Sequence, residues 1–321
     1  MLYPLRLNAP LKDYLWGGAR LKTEFHKETA LEKVAESWEL SCHKNGQSII
    51  LNGVAQGKPL AEYLKTGSSL TLLGTKIKHY PYFPLLIKLI DAHDDLSVQV
   101  HPDDAYALAH EGEYGKTEMW YIIDAEPGAT LIHGLAPGTT KESLEKHISD
   151  GTILDICRRV PVHAGDVFMI DAGTIHAIGR GILLAEIQQN SNTTYRVYDY
   201  NRIDKNGQRR PLHIKKALDV IRLTPKNPSA STTPVRQEGT SKICRIAHSS
   251  LFTVYTIKIR ESYHGQTTQD SFQSLLVLKG NFTLRWSLGE EPMCAGTSFF
   301  LPAAFGPYTI EGNGLLLLTH L

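Results

Sequence analysis

Short apolar runs separated by glycine and proline constrain the fold of this chain more than any other feature. Each run places leucine, β-branched or aromatic residues over five to nine positions, and turn-forming residues stand between the runs along all 321 residues. Many short strands with turn signals between them predict an all-β fold of barrels or sandwiches. The twelve candidate strands cover residues 69–73, 95–101, 117–124, 129–134, 165–171, 181–189, 193–200, 251–259, 274–280, 281–286, 297–302 and 314–321.

Three segments carry helical signals instead. Thr139 and Glu142 have the spacing of a capping box that opens a helix, and Gly151 is placed to end it. Apolar residues at positions 214, 217, 218 and 221 share one helical face, which predicts a second helix. Residues 103–113, directly after Pro102, predict a third. Helices are therefore expected to be few and short.

A polar segment divides the chain into two expected domains. Residues 223–242 are rich in proline, serine and threonine and poor in apolar residues, and strand-like sequence follows them to the end. We place the boundary near residue 235. The predicted domains are residues 1–235, which hold almost every cluster of histidine and carboxylate, and residues 236–321.

A weak internal repeat supports this division. Gly165 precedes a strand-like run, and His176 follows the glycine by eleven residues. Gly296 and Pro307 have the same spacing around a second run. The pattern predicts two related β-units. Because the second unit has proline where the first has an imidazole, we expect it to bind no metal.

The overall charge and the cysteines exclude several classes of protein. Lysine and arginine total 34 against 33 aspartates and glutamates, a net charge of +1, whereas a bulk nucleic-acid binder usually has a basic excess. The cysteines at 42, 157, 244 and 294 form no CxxC pair, which favours buried thiols in a reducing compartment. No export signal is evident, and the longest apolar stretch, residues 83–90, is far shorter than a membrane span. We expect a cytoplasmic protein.

Four polar residues at expected strand ends form a candidate metal site. Gln99 and His101 project to one face of their strand, because side chains alternate along a strand. Glu118 opens an apolar strand, and His176 follows another at a glycine-flanked turn. Two nitrogens and two oxygens suit zinc or another borderline divalent ion. Considered alone, His101 is more often a strand-end histidine with a satisfied hydrogen bond than a ligand, and the other three residues shift the interpretation toward a metal site.

Five stretches give the sequence a specific resemblance to the type I mannose-6-phosphate isomerases, short bacterial form, in the cupin superfamily. They lie in the first 202 residues, and the last three contain the motifs in which that family carries its metal and catalytic residues. The stretches are YLWGGARL (14–21), AESWELSCHKNG (35–46), FPLLIKLIDAHDDLSVQVHPDD (83–104), GKTEMWYIID (115–124) and GDVFMIDAGTIHAIGRGILLAEIQQNSNTTYRVYDYNR (165–202).

The resemblance implies a fold, a reaction and a set of site residues. It implies two cupin-type jelly-roll β-barrels, the first catalytic and the second without a metal. It implies a zinc-dependent isomerase that interconverts mannose 6-phosphate and fructose 6-phosphate through an enediol, with one zinc ion per chain. It implies that Glu186 and Arg196 lie in the active site with Lys116 nearby, and that Gln99, His101, Glu118 and His176 bind zinc. A sugar phosphate is the expected partner, with no nucleic acid and no membrane, and the choice between monomer and weak oligomer stays open.

Each catalytic candidate also has a plainer interpretation. Glu186 is the expected base, with a pKa raised by partial burial, but an exposed strand glutamate would have the same sequence context. Arg196 is expected to pair with phosphate or an enediolate oxygen, or else to form a structural ion pair with Asp199 or another acid. Lys116 is expected to help open the sugar ring or contact phosphate, or else to be an ordinary loop lysine.

The basic residues between positions 202 and 210 invite a different interpretation. Arg202, Lys205, Arg209 and Arg210 surround Asn206 and Gly207, which we interpret as a solvated turn rather than a nucleic-acid surface. A substrate phosphate is the simpler partner for any one of them.

Two functional alternatives also remain: another metal-dependent cupin enzyme such as a dioxygenase, and a catalytically silent cupin that senses sugars. Neither is expected to keep both the metal ligands and the Glu186–Arg196 pair.

Overall fold

The computed structural model describes residues 2–66, 69–203, 207–224, 233 and 236–321. Within these ranges six α-helices form: α1 (Arg20–Thr23), α2 (Leu60–Tyr63), α3 (Ser69–Leu73), α4 (Asp104–His110), α5 (Lys141–Ser149) and α6 (Ile214–Val220). Short 3₁₀ turns occupy Gly53–Ala55, Thr75–His79 and Ile153–Ile156. No helix in the described part of the chain is both long enough and apolar enough to cross a membrane.

Strands make up most of the regular structure. The first fourteen are β1 (Leu5–Asn8), β2 (Leu11–Lys12), β3 (Glu36–His43), β4 (Gly46–Gln47), β5 (Ile49–Ile50), β6 (Leu85–Ala92), β7 (Val98–Val100), β8 (Glu118–Ala125), β9 (Thr130–Leu135), β10 (Cys157–Pro161), β11 (Val167–Ile170), β12 (His176–Ala177), β13 (Ile182–Gln189) and β14 (Tyr195–Tyr198). The remaining eight are β15 (Arg236–Glu238), β16 (Ser241–His248), β17 (Thr253–Ile259), β18 (Ser262–Gln266), β19 (Gln273–Trp286), β20 (Gly289–Cys294), β21 (Ser298–Leu301) and β22 (Pro307–His320).

The described strands pair into three open sheets. A seven-stranded sheet runs β11-β8-β13-β6-β3-β2, with β4 on β3, and a five-stranded sheet runs β10-β9-β12-β7-β14. The third sheet has ten strands in the order β15-β16-β17-β22-β19-β21-β1-β5, with β18 on β22 and β20 on β19. The predicted mainly-β class with a few short helices is confirmed. The jelly-roll units are built from facing open sheets and not from barrels closed by hydrogen bonds.

The seven-stranded sheet is buried on both faces and positions the site. Alternate residues of its central strands, such as Ile87 and Leu183, share a core with Leu317 of the ten-stranded sheet and with Phe252, which directly precedes β17. The residues between them, such as Leu184, face the five-stranded sheet and its Leu131. Because both faces are apolar, β6 and β13 are buried at all eight of their positions. A polar side chain on the face toward the five-stranded sheet therefore enters the space between the seven-stranded and five-stranded sheets.

Several sequence predictions need correction. Residues 69–73, predicted as a strand, form α3. Residues 274–280 and 281–286, predicted as two strands, are one continuous strand, β19, whose pairing with β22 shifts register between Val277 and Lys279. The cap of α5 is Thr140, whose hydroxyl accepts the Ser143 amide at 3.1 Å. Thr139, predicted as the cap, instead bonds the Ala136 carbonyl at 2.7 Å.

The internal repeat is confirmed at the level of single hydrogen bonds. Gly165 and Gly296 both have φ in the left-handed region, at 94° and 85°. The Gly165 amide donates to the Ile122 carbonyl at 2.8 Å, and the Gly296 amide donates to the Val277 carbonyl at 2.9 Å. Each glycine therefore turns the chain into an equivalent strand, β11 in the first unit and β21 in the second.

The two units share strands across the expected boundary. Residue 235 lies outside the described residues, so the division there stays a prediction. Strand β1 pairs with β21, which brings Leu5 opposite Phe300, and β5 pairs with β1. The ten-stranded sheet thus takes two of its strands from the start of the chain and is not confined to residues 236–321.

Candidate functional site

Three side chains meet in the buried space between the seven-stranded and five-stranded sheets. His101 follows β7, Glu118 begins β8 and His176 begins β12. Their ligand-type atoms all lie within 4.8 Å of one another. His101 Nε2 is 3.6 Å from Glu118 Oε2, and His176 Nε2 is 3.4 Å from Glu118 Oε1. All three are at most 1% exposed.

Backbone carbonyls fix the orientation of both imidazoles. His101 Nδ1 donates to the Thr193 carbonyl at 2.9 Å, and His176 Nδ1 donates to the Thr174 carbonyl at 2.8 Å. A carbonyl oxygen can only accept, so Nδ1 carries the proton and Nε2 has a lone pair in both rings. His101 Nε2 accepts from Lys116 Nζ at 3.1 Å, and His176 Nε2 faces Glu118 Oε1. Histidines that bind metals in proteins are commonly held in this way.

Two acceptor atoms face each other here in a buried setting. Glu118 Oε1 and His176 Nε2 have no hydrogen-bond partner among the described residues. Buried acceptors without a partner cost free energy unless a proton or a cation lies between them. The donor set of two imidazoles and a carboxylate fits zinc or a similar divalent ion. His101, Glu118 and His176, the metal-type cluster, therefore fit the ion that the sequence predicts.

Gln99 lies on the strand next to this cluster. Across the β7–β12 pair it stands opposite His176, and across the β7–β14 pair it stands opposite Arg196. It is half-buried and lines a cavity of about 320 Å³. The structure brings together three of the four predicted ligands and places Gln99 beside them, so its role as a ligand stays a prediction.

The same cavity collects the predicted catalytic residues. Lys116, Glu186 and Arg196 all line it, together with Arg210. The cavity thus joins a carboxylate, an ammonium group and two guanidinium groups next to the metal-type cluster. The interpretation of Glu186 as an exposed strand glutamate is wrong, because its side chain is only 3% exposed and points into this space.

A buried lysine that the sequence analysis did not select holds the Glu186 carboxylate. Lys88 Nζ lies 3.0 Å from Glu186 Oε2 and 3.6 Å from Glu36 Oε2. Trp120 Nε1 donates to Glu186 Oε1 at 3.0 Å. Lys88 is the one charged residue in the apolar run 83–90. A lone charge in a strand buried on both faces is a signal for a paired site.

The pKa of Glu186 shifts in the direction opposite to the expected one, because two lysines lie beside its carboxylate. Burial alone would raise the pKa of this carboxyl, as the sequence analysis expected. The positive charges of Lys116 and Lys88 outweigh that effect and lower the pKa to about 2. Glu186 is therefore ionised at every pH above that value.

The metal-type residues have the opposite pKa behaviour. Burial, with the negative charge of Glu186 added, raises the pKa of Glu118 to about 8. Burial lowers the pKa of His176 to about 3 and lowers that of His101 well below its usual value. Both imidazoles are neutral near pH 7, which is the form that binds metals.

Lys116 enters the site from the far end of the segment between His101 and Glu118. Residues 102–117 separate His101 from Glu118 and contain α4, and the Lys116 amide returns to the Pro102 carbonyl at 2.9 Å. Lys116 Nζ is 2.8 Å from Glu118 Oε2 and 3.9 Å from Glu186 Oε2. It is 5% exposed, so the interpretation as an ordinary loop lysine is wrong.

Arg196 is positioned by polar groups on its flanks. Its Nε donates to Ser97 Oγ at 3.3 Å, and its Nη1 donates to the Pro211 carbonyl at 2.9 Å. Asp199, the partner that the alternative interpretation assigned to it, instead binds Arg202 and Arg210. The guanidinium of Arg196 therefore faces the cavity without that ion pair.

Two of the four basic residues of the predicted turn have structural partners. Arg202 Nη2 donates to Asp199 Oδ1 at 2.9 Å, and Arg210 Nη2 donates to the same oxygen at 2.6 Å. Lys205 and Asn206 lie outside the described residues. Arg210 also lines the cavity, which agrees with a substrate anion as its partner.

Comparisons with known proteins agree with this geometry. Residues 4–123 match the family model described as phosphomannose isomerase type I, catalytic domain, and residues 242–321 match mannose-6-phosphate isomerase, cupin domain. The probable mannose-6-phosphate isomerase GmuF of Bacillus subtilis is 41% identical, with 100% of each chain covered. A crystal structure of mannose 6-phosphate isomerase from Bacillus subtilis has a TM-score of 0.92, 34% identity and 99% coverage of both chains. A zinc-bound mannose 6-phosphate isomerase has the same fold, with a TM-score of 0.78, 16% identity and 99% coverage of both chains.

Proposed function

The chain belongs to the type I phosphomannose isomerase family, and from this we propose that it interconverts mannose 6-phosphate and fructose 6-phosphate with the help of one zinc ion. One observation carries the proposal. A single cavity of about 320 Å³ is lined by Gln99, the Glu186 carboxylate, Lys116 and the Arg196 guanidinium. These are the groups needed to hold a phosphorylated sugar and move a proton within it.

We assign the zinc ligands to the cluster and its neighbour on β7. His101, Glu118 and His176 supply two neutral imidazoles and a carboxylate, and Gln99 is the proposed fourth ligand. When bound there, zinc supplies Lewis acidity that polarises the carbonyl and hydroxyl oxygens of the sugar, directly or through a water molecule. The orphaned pair of acceptors, Glu118 Oε1 and His176 Nε2, supports a cation at this place.

Glu186 is the proposed group that moves the proton. Isomerisation takes a proton from C2 of the aldose and returns it to C1, through an enediol shared by both sugars. One carboxylate beside both carbons can do both steps. The carboxylate of Glu186 is ionised and held by Lys88 and Trp120, so it begins in the proton-accepting form. Lys116, 3.9 Å away, is the next candidate for this role.

The remaining cations suit the phosphate and the enediolate. Arg196 and Arg210 present guanidinium groups, whose paired donors match two oxygens of a phosphate. Lys116 is placed between the metal-type cluster and Glu186 and is the proposed group for ring opening or phosphate contact. The combination of base and arginine beside the metal cluster counts against a dioxygenase.

The decisive experiment measures reaction and metal on one sample. We expect a coupled assay to detect fructose 6-phosphate formed from mannose 6-phosphate, with zinc determined on the same protein. Turnover that rises with zinc content supports the proposal. A zinc-loaded protein that binds the sugar phosphate with neither turnover nor exchange of substrate hydrogen with solvent would show that it is a sugar sensor.

Replacing Arg196 by lysine tests the guanidinium. The change keeps the charge but loses the planar pair of donors, so we expect a loss in kcat/KM worth about 1–3 kcal/mol. If the guanidinium contacts the phosphate alone, the loss falls mainly on KM and is small for unphosphorylated mannose. Arg285→Lys, at an exposed ion pair of the second unit, is the control and should leave the rate unchanged. Wild-type kinetics for Arg196→Ala would assign the residue a structural role.

The pKa of Glu118 predicts how zinc affinity depends on pH. Its pKa is raised to about 8, so below that pH a proton must leave the carboxyl before zinc binds. Both histidines are already neutral there. We expect the zinc affinity to fall by roughly tenfold per pH unit between pH 8 and pH 6, measured by competition with a chromophoric chelator. Glu118→Gln should bind zinc more weakly but with little pH dependence over this range. An affinity of the unaltered protein that is constant from pH 6 to pH 8 would contradict the assignment.

A further inference from the structure

The second unit repeats the first at the four proposed ligand positions. Glu118 pairs with Ile170 on β11, and Ile170 lies five residues after Gly165. Gln273 pairs with Leu301 on β21, and Leu301 lies five residues after Gly296. His176 stands opposite Gln99, and Pro307 stands opposite Gln266. In the second unit the metal-type residues are thus replaced by two amides, a hydroxyl and a proline: Gln266, Thr268, Gln273 and Pro307.

The catalytic positions are replaced as well. In the first unit Glu186 lies between Lys88 on β6 and Trp120 on β8. In the second, Leu318 lies between Tyr255 on β17 and Leu275 on β19. Leucine therefore stands where the proposed base stands, and tyrosine stands where the buried lysine stands. This unit holds neither the metal-type cluster nor the base.

A cavity nevertheless remains at the equivalent place. It has a volume of about 400 Å³, compared with about 320 Å³ for the cavity in the first unit. Tyr255, Ile257 and Leu318 line it, at the positions of Lys88, Ile90 and Glu186. The second unit has kept the space while losing the groups that carry out the reaction.

The groups that line this second cavity favour a small phosphorylated ligand. Arg236 and Arg245 bring two guanidinium groups, whose donors match phosphate oxygens. Tyr255 and Tyr263 bring phenolic hydroxyls, which can both donate to and accept from sugar hydroxyls. Glu238 is the one acidic residue among the described groups of the lining, and it is 2.5 Å from Arg236. The lining therefore keeps a positive balance.

We propose that this second cavity binds a small phosphate ester of a polyhydroxylated carbon chain, such as a sugar phosphate, and holds it without reaction. Arg245 is the main anchor. Its Nε and Nη2 both donate to Thr233 Oγ1, at 3.3 and 3.2 Å, and this holds the guanidinium in the lining while Nη1 keeps its donors for a ligand. The site is separate from the cavity that contains Glu186 and does not depend on its activity.

Equilibrium dialysis of the zinc-loaded protein tests this proposal. The probe is sorbitol 6-phosphate, which lacks a carbonyl group and cannot be isomerised. We expect two molecules bound per chain. Arg245→Ala should weaken one of the two sites by at least about tenfold, the usual scale for losing a charge-assisted hydrogen bond, and leave kcat unchanged. Arg196→Ala should weaken the other site instead.

Further variants and probes keep the result decisive. Arg236→Ala alters a side chain that is 77% exposed, so it tests the same cavity with little risk to folding. Arg285→Ala, at another exposed arginine of this unit, should leave both sites intact. A single binding site that Arg196→Ala weakens and Arg245→Ala does not would overturn the proposal. Equal binding of inorganic phosphate or of free sorbitol at the second site would overturn the assigned ligand class.

Discussion

Replacing Glu186 by glutamine should lower kcat by about 10²–10⁴-fold, the usual cost of removing a general base. The amide has nearly the same shape and can still accept from Trp120 Nε1, which now bonds the carboxylate at 3.0 Å. It cannot take a proton from carbon. Zinc content and substrate binding should therefore persist while turnover is lost. Kinetics with mannose 6-phosphate, alongside metal analysis and a thermal melt, measure this.

Solvent exchange identifies the group that moves the proton. In deuterated water the unaltered enzyme should replace substrate hydrogen at the reacting carbons, and NMR of recovered mannose 6-phosphate reports it. Glu186→Gln should stop this exchange together with turnover. Asp124→Asn removes an exposed carboxylate from the same sheet and is the control. Lost turnover with retained exchange would assign the base to another residue, and Lys116 would be tested next.

Replacing His101 by alanine should remove both zinc and activity. We expect about one zinc ion per chain in the unaltered protein and essentially none in the variant, because three remaining donors no longer close a tetrahedral site. The fold should persist, because the metal-type cluster contributes no residue to the core between the ten-stranded and seven-stranded sheets or to the core of the second unit. Metal analysis and circular dichroism measure the two results, and treatment with a chelator should give the same loss of activity.

The same experiment tests the second unit for metal. His264→Gln changes a histidine of that unit whose Nδ1 is 3.2 Å from Thr309 Oγ1, and it should retain full zinc and activity. Zinc that stays stoichiometric in His101→Ala would mean that His101 is not needed to hold the ion. A fully active His101→Ala protein would refute the proposed zinc centre itself.

The alternation of apolar residues explains which strands the sequence predicts. Residues 165–171 and 297–302 follow a turn glycine and were predicted as strands, and β11 and β21 lie within them. Strands β6 and β13 are both buried on both faces and show no alternation. Residues 181–189 were nevertheless predicted as a strand that begins at Gly181, whereas residues 83–90 were recognised only as an apolar stretch. Residues 69–73 form a helix because three of the five are leucine, a strong helix former, and the preference of threonine for strands is a weak signal in so short a segment.

Site residues were predictable where their types are rare, but their electrostatics were not. The histidines and Glu118 were selected from strand-end placement and from the family resemblance, and the structure brings them within 4.8 Å. The direction of the Glu186 pKa depends on Lys88, which is 98 residues away in sequence and opposite it only once β6 pairs with β13. A pairing of strands distant in sequence cannot be inferred from the pattern of either strand alone.

The pairing of β1 with β21 also has a consequence during synthesis. Leu5 leaves the ribosome 295 residues before its partner Phe300. Until then β1 has an unsatisfied edge, which is a template for aggregation. Contacts between such distant residues slow folding, because a large loop must close before they form. A nascent chain of this protein therefore completes its largest sheet only once Phe300 and its neighbours have been synthesised, and chaperones that shield strand β1 until then should raise the yield of folded enzyme.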